Sequence, residues 1–193
     1  MKEFVWKDFY KYTRDRPPWP LLVQAVSLLA HKESALDLGS GAGRDTRYLL
    51  EQGFQVTAVD SDAHAITILA TFPQERLRIV QSSFVDFAFE TYDLINAHYA
   101  LPFVAKSRFD EVVARVKQAL QPGGIFVGQF FGIHDEWNTP GREMTFLTRE
   151  EAEEALQGLE IVEFREEDLD SHVADGSPKH WHAFHIIARK PFV

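Results

Sequence analysis

Short apolar runs and longer runs of helical period alternate along this chain. Ser34 to Leu38 has strand character and is followed by a glycine cluster, then by Thr46, Tyr48, Leu49 and Leu50, which suit a short helix closed by Gly53. Gln55 to Val59 is a β-branched strand ending in Asp60, and the next helix runs through Ala65, Ile66, Leu69 and Ala70 until Pro73 terminates it. Leu77 to Val80 and Tyr92 to Asn96 make the third and fourth strands. Phe109, Val112, Val113, Val116 and Leu120 share one helical face, and Gln121-Pro122-Gly123-Gly124 stops that helix. Ile125 to Phe131 is apolar on both alternating faces, the pattern of a central strand covered by helices above and below.

Thr148-Arg149-Glu150-Glu151 has the form of a capping box, so a helix through Ala152, Ala155 and Leu156 starts there. Two closing strands, Leu159 to Arg165 and His180 to Arg189, flank the polar segment Glu166 to Lys179. Its Asp175-Gly176 and Ser177-Pro178 pairs predict a hairpin with a long loop. Strands alternating with helices predict an α/β fold, a doubly wound sheet of seven strands, mostly parallel with an antiparallel last strand and helices on both faces. Met1 to Ala30 reads as two helices joined around Arg16-Pro17-Pro18-Trp19-Pro20. With no internal repeat and no low-complexity segment, 1–193 is expected to be one domain, a helical segment 1–30 leading into a core 31–193.

Composition narrows the chemistry. The chain has 193 residues, 45% hydrophobic and 25% charged, an ordinary globular balance. It has no cysteine, which removes thiol nucleophiles, Cys-based zinc sites and disulfides together. Lys and Arg number 20 against 29 Asp and Glu, net −9, with no basic block, so nucleic acid is not an expected partner. The charged start, with Lys2, Glu3, Lys7 and Asp8, has no signal-peptide core. The longest uncharged stretches, Pro17 to His31 and Gln118 to His134, fall short of the ~20 apolar residues of a membrane span. A cytoplasmic protein without a membrane partner is expected. Nothing in the pattern fixes an oligomeric state.

Asp37-Leu38-Gly39-Ser40-Gly41-Ala42-Gly43-Arg44 lies between the first strand and its helix, where bare backbone lets a ligand approach closely. The dinucleotide fingerprint Gly-x-Gly-x-x-Gly is not met, because Arg44 stands where the third glycine belongs. Asp37, two residues before the turn, would repel phosphate and favour a ligand with a positive end. Asp60 ends the second strand ~20 residues after Gly39, the position from which a carboxylate accepts both hydroxyls of an adenosine ribose. A helix N-cap is the alternative role for Asp60, with Ser61 and Asp62 beside it to share the task.

A ribose diol joined to a cationic amino acid describes S-adenosylmethionine. Ala35 to Asp45, Val56-Thr57-Ala58-Val59-Asp60 and Leu120-Gln121-Pro122-Gly123-Gly124, in that order, resemble class I S-adenosylmethionine-dependent methyltransferases. Gly43-Arg44-Asp45 and His180-Trp181-His182 resemble the small bacterial members of the tellurite-resistance type. The resemblance implies a Rossmann-like sheet, S-adenosyl-L-methionine as cofactor, and cofactor contacts from Asp37, Gly39, Ser40, Gly41, Gly43, Arg44, Asp60 and Ser61. It also implies contacts from Ser83 and Phe84 at the adenine, where many members carry an acidic residue in place of Ser83, and from the backbone of Asn96 at the methionine portion. By the same analogy the N-terminal segment closes over the site, with Tyr10, Tyr12 and Arg16 as contacts among its aromatic residues Trp6, Phe9 and Trp19.

Methyl transfer is an in-line displacement that requires no protein nucleophile. The acceptor is expected above the end of the fourth strand, near Asn96 to Phe103. The chain lacks an Asn-Pro-Pro-Tyr type motif, which with its acidity favours a small-molecule acceptor. His98 is the candidate base for an acceptor hydroxyl or thiol, against the alternative of a structural histidine. Tyr99 and Phe103 are pocket walls or core. His180 and His182 share a strand face and would need His172 or Asp175 to complete a metal site, with His185 on the opposite face. Packing of Trp181 against an edge strand explains that segment without a metal, so none is expected. The acidic run Glu163 to Asp170 reads as a solvated loop. A nicotinamide-dependent oxidoreductase and a non-catalytic cofactor-binding module are the competing functional readings.

Overall fold

The computed structural model describes residues 6–192, with side chains from Phe9 onward, so the side chain of Trp6 and residues 1–5 lie outside it. Helices α1 (Trp6–Thr13) and α2 (Pro20–Ser27) precede the sheet and flank the expected Arg16 to Pro20 junction. Strands β1 (Ser34–Leu38), β2 (Gln55–Asp60), β3 (Leu77–Gln81), β4 (Tyr92–Ala97) and β5 (Leu120–Gly132) then alternate with α3 (Arg44–Glu51), α4 (Ala63–Leu69) and α5 (Lys106–Ala119). Strand β6 (Phe146–Leu147), helix α6 (Arg149–Ala155) and strands β7 (Glu160–His172) and β8 (Pro178–Arg189) complete the chain. The sheet order is β3-β2-β1-β4-β5-β8-β7. The first five strands run parallel, β8 is antiparallel to both neighbours, and the two-residue β6, which sequence periodicity does not register, pairs with the end of β5.

Each face of the sheet carries its own core. On one, Ala35, Val56, Ala58, Leu94 and Val127 meet Leu22, Ala25 and Val26 of α2 and Leu49 of α3. On the other, Leu36, Leu38, Ile95, Phe126 and Phe130 meet Phe109, Val112 and Val116 of α5 and Ala152 of α6. The alternation along each strand delivers successive side chains to opposite layers. Helix α2 is therefore part of the core, while α1 contacts α4. The capping box at α6 is complete: Thr148 Oγ1 accepts from Glu151 N, and Glu151 Oε2 accepts from Thr148 N.

The long loop expected between the last two strands is corrected by the structure. Strands β7 and β8 pair from Glu160 opposite Arg189 out to His172 opposite Pro178, leaving only 173–177 as the turn. Opposite charges facing each other across the ribbon carry the strands through the polar stretch. His180 Nδ1 lies 2.8 Å from Asp170 Oδ1 and its Nε2 lies 2.8 Å from Asp168 Oδ1, and His182 Nε2 lies 3.0 Å from Glu166 Oε1.

The base of this ribbon is held by a buried ion pair. Lys179 Nζ donates to both carboxylate oxygens of Asp135 at 2.6 Å, and the two side chains are 1% and 0% exposed. Asp135 also accepts from Trp137 N and His182 N. Removing one member strands the other charge in the interior, so Lys179→Met is expected to cost about 3–5 kcal/mol of unfolding free energy. Adding Asp135→Asn to that variant should restore part of it. Urea unfolding of the two variants beside the parent checks both outcomes.

Candidate functional site

At the carboxyl ends of β1 and β2 the glycine loop is fixed by the strand beside it. Gly39 N and Ser40 N both donate to Val59 O, at 2.8 and 3.2 Å. One oxygen of Asp60 accepts from Gly41 N at 2.8 Å and the other from Asp62 N at 2.9 Å. Asp62 caps α4 by accepting from His64 N at 2.9 Å, so the cap role falls to Asp62 and Asp60 is left to the loop. A carboxylate offers about four acceptor positions, and two backbone bonds leave the remainder of Asp60 facing the cavity. Gly39 sits at φ +73°, and a Cβ there would lie 2.7 Å from Ala100 Cβ. Gly43, at φ +78°, packs differently: its Cβ would lie 2.6 Å from Phe72 Cζ and 2.9 Å from Leu69 Cδ2, under α4.

The loop opens into a cavity of about 770 Å³ at the point where the sheet order reverses between β1 and β4. Asp37, Gly39, Ser40, Gly41, Arg44, Asp60, Ser61, Ser83, Phe84, Asn96 and His98 all reach it, as do Tyr10 and Arg16 from the N-terminal segment. Two expected contacts do not. Gly43 faces α4 as described, and Tyr12 is 48% exposed on the side of α1 away from the cavity. Ser83 Oγ donates to Asp86 Oδ2 at 2.6 Å and accepts from Asp86 N, so its hydroxyl is already engaged. Arg16 Nη2 donates to Ala174 O at 3.0 Å, tying the N-terminal segment to the tip of the β7–β8 hairpin at the cavity rim.

Behind the loop runs a chain of buried polar groups. Thr46 Oγ1 and Asn96 Nδ2 donate to the two oxygens of Asp37, and Asn96 Nδ2 also lies 3.4 Å from Asp45 Oδ2. Because the amide nitrogen of Asn96 faces these carboxylates, its oxygen faces His98 Nδ1 and accepts from it. The proton of neutral His98 thus sits on Nδ1, and Nε2 presents a bare lone pair. That atom is buried and has no hydrogen-bond partner among the described residues. Burial, reinforced by Arg44 and His185, holds His98 well below the usual histidine range. Asp37 moves the other way: burial first and Asp45 second push it up to about 7.

The far half of the cavity is aromatic. Trp19 stacks on His98 with centroids 5.8 Å apart and planes 7° from parallel, and the Arg44 guanidinium lies 4.1 Å over the Trp19 ring. Tyr99 follows β4 with φ +51°, a left-handed conformation that costs a non-glycine residue about 1–3 kcal/mol, and its N–H donates to Gln129 Oε1 at 2.9 Å. Beyond it stand Phe103, Phe131, Trp137 and Trp181. Trp137 and Trp181 were not among the residues expected from sequence. The period-two rule on β8 places Trp181 opposite in face to His180 and His182, a signal that was readable, but the irregular segment holding Trp137 has no periodicity to read.

The histidines lie on the outer face of the hairpin. Among the described residues, His134, Asp168 and His182 bring candidate ligand atoms within 4.8 Å of one another, and neither His172 nor Asp175 takes part. His182 Nδ1 accepts from the backbone N–H of His134 at 3.0 Å, which leaves the ring proton on Nε2 facing Glu166. Both nitrogens of that ring are committed to hydrogen bonds.

Residues 36–128 match the model of the methyltransferase domain family. Carboxy-S-adenosyl-L-methionine synthase of Pseudomonas putida is 28% identical over 141 residues, which are 64% of this chain and 56% of that protein. An uncharacterised methyltransferase of Mycobacterium tuberculosis is 32% identical over 126 residues, 65% of this chain and 50% of that one. The chain thus spans about half the length of the curated relatives it matches. In structure it is similar to TehB of Haemophilus influenzae, with TM-score 0.74, 22% identity, and 88% of this chain against 61% of that one. It is also similar to 1,6-didemethyltoxoflavin-N1-methyltransferase of Burkholderia thailandensis, solved with 1,6-didemethyltoxoflavin and S-adenosylhomocysteine, with TM-score 0.70, 25% identity, 97% of this chain and 81% of that one. Residues 36–128 thus carry the pattern of a methyltransferase domain, and the chain is similar in fold to S-adenosylmethionine-dependent methyltransferases.

The site of this methyltransferase domain fits that cofactor. Asp60 has acceptor capacity to spare, the Gly39 to Gly41 backbone is bare, and the buried acids Asp37 and Asp45 favour a positive group over a phosphate. Among the described residues no helix is long and apolar enough to cross a membrane.

Asp37 gives the methyltransferase domain a pH signature. Its folded value is raised from an ordinary carboxylate's, so the folded chain holds this proton where the unfolded chain has lost it. The associated stability is complete below pH ~4 and is lost as pH rises through about 7. Asp37→Asn keeps an acceptor for Asn96 and a partner for Thr46, and should remove up to about 1.4 kcal/mol per pH unit of downward slope in that window. Unfolding free energies of parent and variant between pH 4 and 8 measure it.

Proposed function

We propose that this domain transfers a methyl group from S-adenosylmethionine to a small-molecule acceptor, with His98 as the general base. The single observation that carries the reading is the convergence of the Asp60 loop and His98 on one cavity. Asp60 would bind the ribose hydroxyls, the backbone from Gly39 to Gly41 and at Asn96 the amino-acid portion, and Phe84 the adenine face. Ser83, held by Asp86, would contribute backbone only. When bound, the cofactor supplies an electrophilic methyl group on a sulfonium. The protein's part is to hold the acceptor in line, worth ~7–11 kcal/mol of barrier, to exclude water with aromatic walls, and to receive the acceptor's proton at His98 Nε2.

Support for a small acceptor comes from the aromatic lining of the cavity and from the similar methyltransferase of Burkholderia thailandensis, solved with 1,6-didemethyltoxoflavin bound. The oxidoreductase alternative meets an obstacle in the residues themselves. Asp37, Asp45, Asp60 and Asp62 surround the loop where a dinucleotide's pyrophosphate would lie, and the nearby Arg44 is directed to Asp45 and Trp19.

S-adenosylhomocysteine at 100 times its dissociation constant should stabilise the chain by ~2.7 kcal/mol, a rise in Tm of about 5–10 °C. Asp60→Ala should abolish that rise, and NADH should not produce it. His98→Gln should retain the rise while kcat falls ~10²–10⁴-fold. Because His98 stays neutral in the fold, the parent's kcat should be flat from pH 8 to below pH 6.5. An acid limb at or above 6.5 that survives His98→Gln would place the base elsewhere.

A further inference from the structure

We propose that Arg44 is a carboxylate receptor: the two Nη groups of its guanidinium take a planar carboxylate inside the cavity, carried by the amino-acid end of the cofactor or by the acceptor. The inference rests on the methyl-transfer reading and assigns a chemical group to one of its two ligands.

The guanidinium is held in place without being satisfied. Its Cζ lies 4.1 Å from the centre of the Trp19 ring, and its Nε faces Asp45 Oδ1 at 3.5 Å. Asp45 itself is drawn elsewhere, since Oδ1 accepts from Trp19 N at 3.2 Å and Oδ2 lies 3.4 Å from Asn96 Nδ2. The Arg44 side chain is 11% exposed and lines the cavity. Among the described residues neither Nη1 nor Nη2 makes a hydrogen bond. Neither belongs to the buried atoms left without a partner, which are Tyr92 Oη, His98 Nε2, Thr139 Oγ1 and His185 Nε2. Both nitrogens therefore reach open volume, and the open volume that Arg44 lines is the cavity. Four N–H donors on a fixed charge stand there unmatched.

The geometry of those donors selects the group. The Nη edge of a guanidinium presents parallel N–H bonds that match the two oxygens of a carboxylate, and the bonds are charge-assisted. The other arginines that line the cavity are engaged: Arg16 Nη2 donates to Ala174 O at 3.0 Å, and Arg108 holds the two oxygens of Glu111 at 2.9 and 3.2 Å. A single guanidinium suits a singly charged anion. A phosphate would bring further negative charge towards Asp37, Asp45 and Asp60 with no second arginine turned to meet it.

Position leaves two carriers for the carboxylate. Arg44 is the first residue of α3, directly after the glycine loop, on the side of the cofactor's amino-acid end. Trp19, against which it rests, stacks on His98 at 5.8 Å and meets Tyr99 at 4.9 Å, both at the end of β4 where the acceptor is expected. The receptor stands where the two halves of the cavity meet.

The test is titration calorimetry on the full chain with two matched pairs of probes. One pair is S-adenosylhomocysteine and its decarboxylated analogue. The other is benzoate and benzamide, titrated into the chain saturated with S-adenosylhomocysteine. If the cofactor carries the carboxylate, S-adenosylhomocysteine should bind at least ~10-fold tighter than its analogue; if the acceptor does, benzoate should bind at least ~10-fold tighter than benzamide. Arg44→Met should erase whichever preference is found, and Arg44→Lys, which keeps the charge without the planar pair of donors, should retain only part of it. Circular dichroism checks that each variant is folded, with Arg44→Gln replacing Arg44→Met if the latter is not. An arginine that only braces Trp19 would lower Tm on replacement and leave both ratios as in the parent. The proposal is overturned if neither pair shows a preference, or if Arg44→Met leaves the ratio unchanged. Failure of the parent to bind S-adenosylhomocysteine at all would instead defeat the methyl-transfer reading, so the two failures are distinguishable.

Discussion

The acceptance of the His98 Nδ1 proton by Asn96 is the interaction on which the chemistry of this fold depends. It is the last step of a chain that begins in helix α3, where Thr46 donates to Asp37, and crosses from β1 to β4 through the Asn96 amide. Each member fixes the next. The acids on one side meet the amide NH₂ of Asn96, so its oxygen faces the imidazole and accepts from Nδ1, which leaves the ring's lone pair on Nε2. Burial penalises any unpaired member of such a chain, and among the described residues its one terminus without a hydrogen-bond partner is His98 Nε2. Two neighbouring strands of a parallel sheet suffice to build it, because β1 and β4 pair Asp37 directly with Asn96.

The residues expected at the cofactor converge on one cavity because they sit where strand ends and tight turns must fall. Asp60 ends a β-branched run and Gly39 to Gly41 follow another, so periodicity alone brings them to adjacent crests of the sheet. What periodicity did not separate is a glycine that admits a ligand from one that admits a helix. Gly41 faces the cavity and Tyr10, whereas Gly43 is needed because Phe72 and Leu69 pack where its Cβ would be. That distinction lives in a contact between α3 and α4, and one strand–turn–helix unit does not contain it. Tyr12 fails for a related reason: α1 is short and amphipathic, and its Phe9 and Tyr10 take the inward face.

The hairpin shows the opposite error. Polar residues from Glu166 to Lys179 suggested a loop, yet a two-stranded ribbon projecting past its sheet has no core on its outer face and is held by pairs across it. Asp168 and Asp170 against His180, and Glu166 against His182, supply that cohesion. Such a segment reads as polar at every outer position, so hydrophobicity cannot reveal it. The inner face of the same ribbon brings Trp181 to the aromatic half of the cavity, with Lys179 behind it.

The two halves of the cavity differ in physical character, and the proposed methyl transfer accounts for the difference. A positive donor is favoured by the acids around the glycine loop, which carry net negative charge behind a polar backbone. The reaction disperses that positive charge as it proceeds, so the transition state is less strongly solvated by water than the ground state. A dry aromatic compartment then penalises the transition state less than it would a fully formed ion. Burying Lys179 behind the rings would contradict this if its charge were open, but Asp135 closes it at 2.6 Å and leaves only the rigidity of the caged side chain. The ion pair thus serves the apolar wall by fixing three aromatic rings around one immobile point.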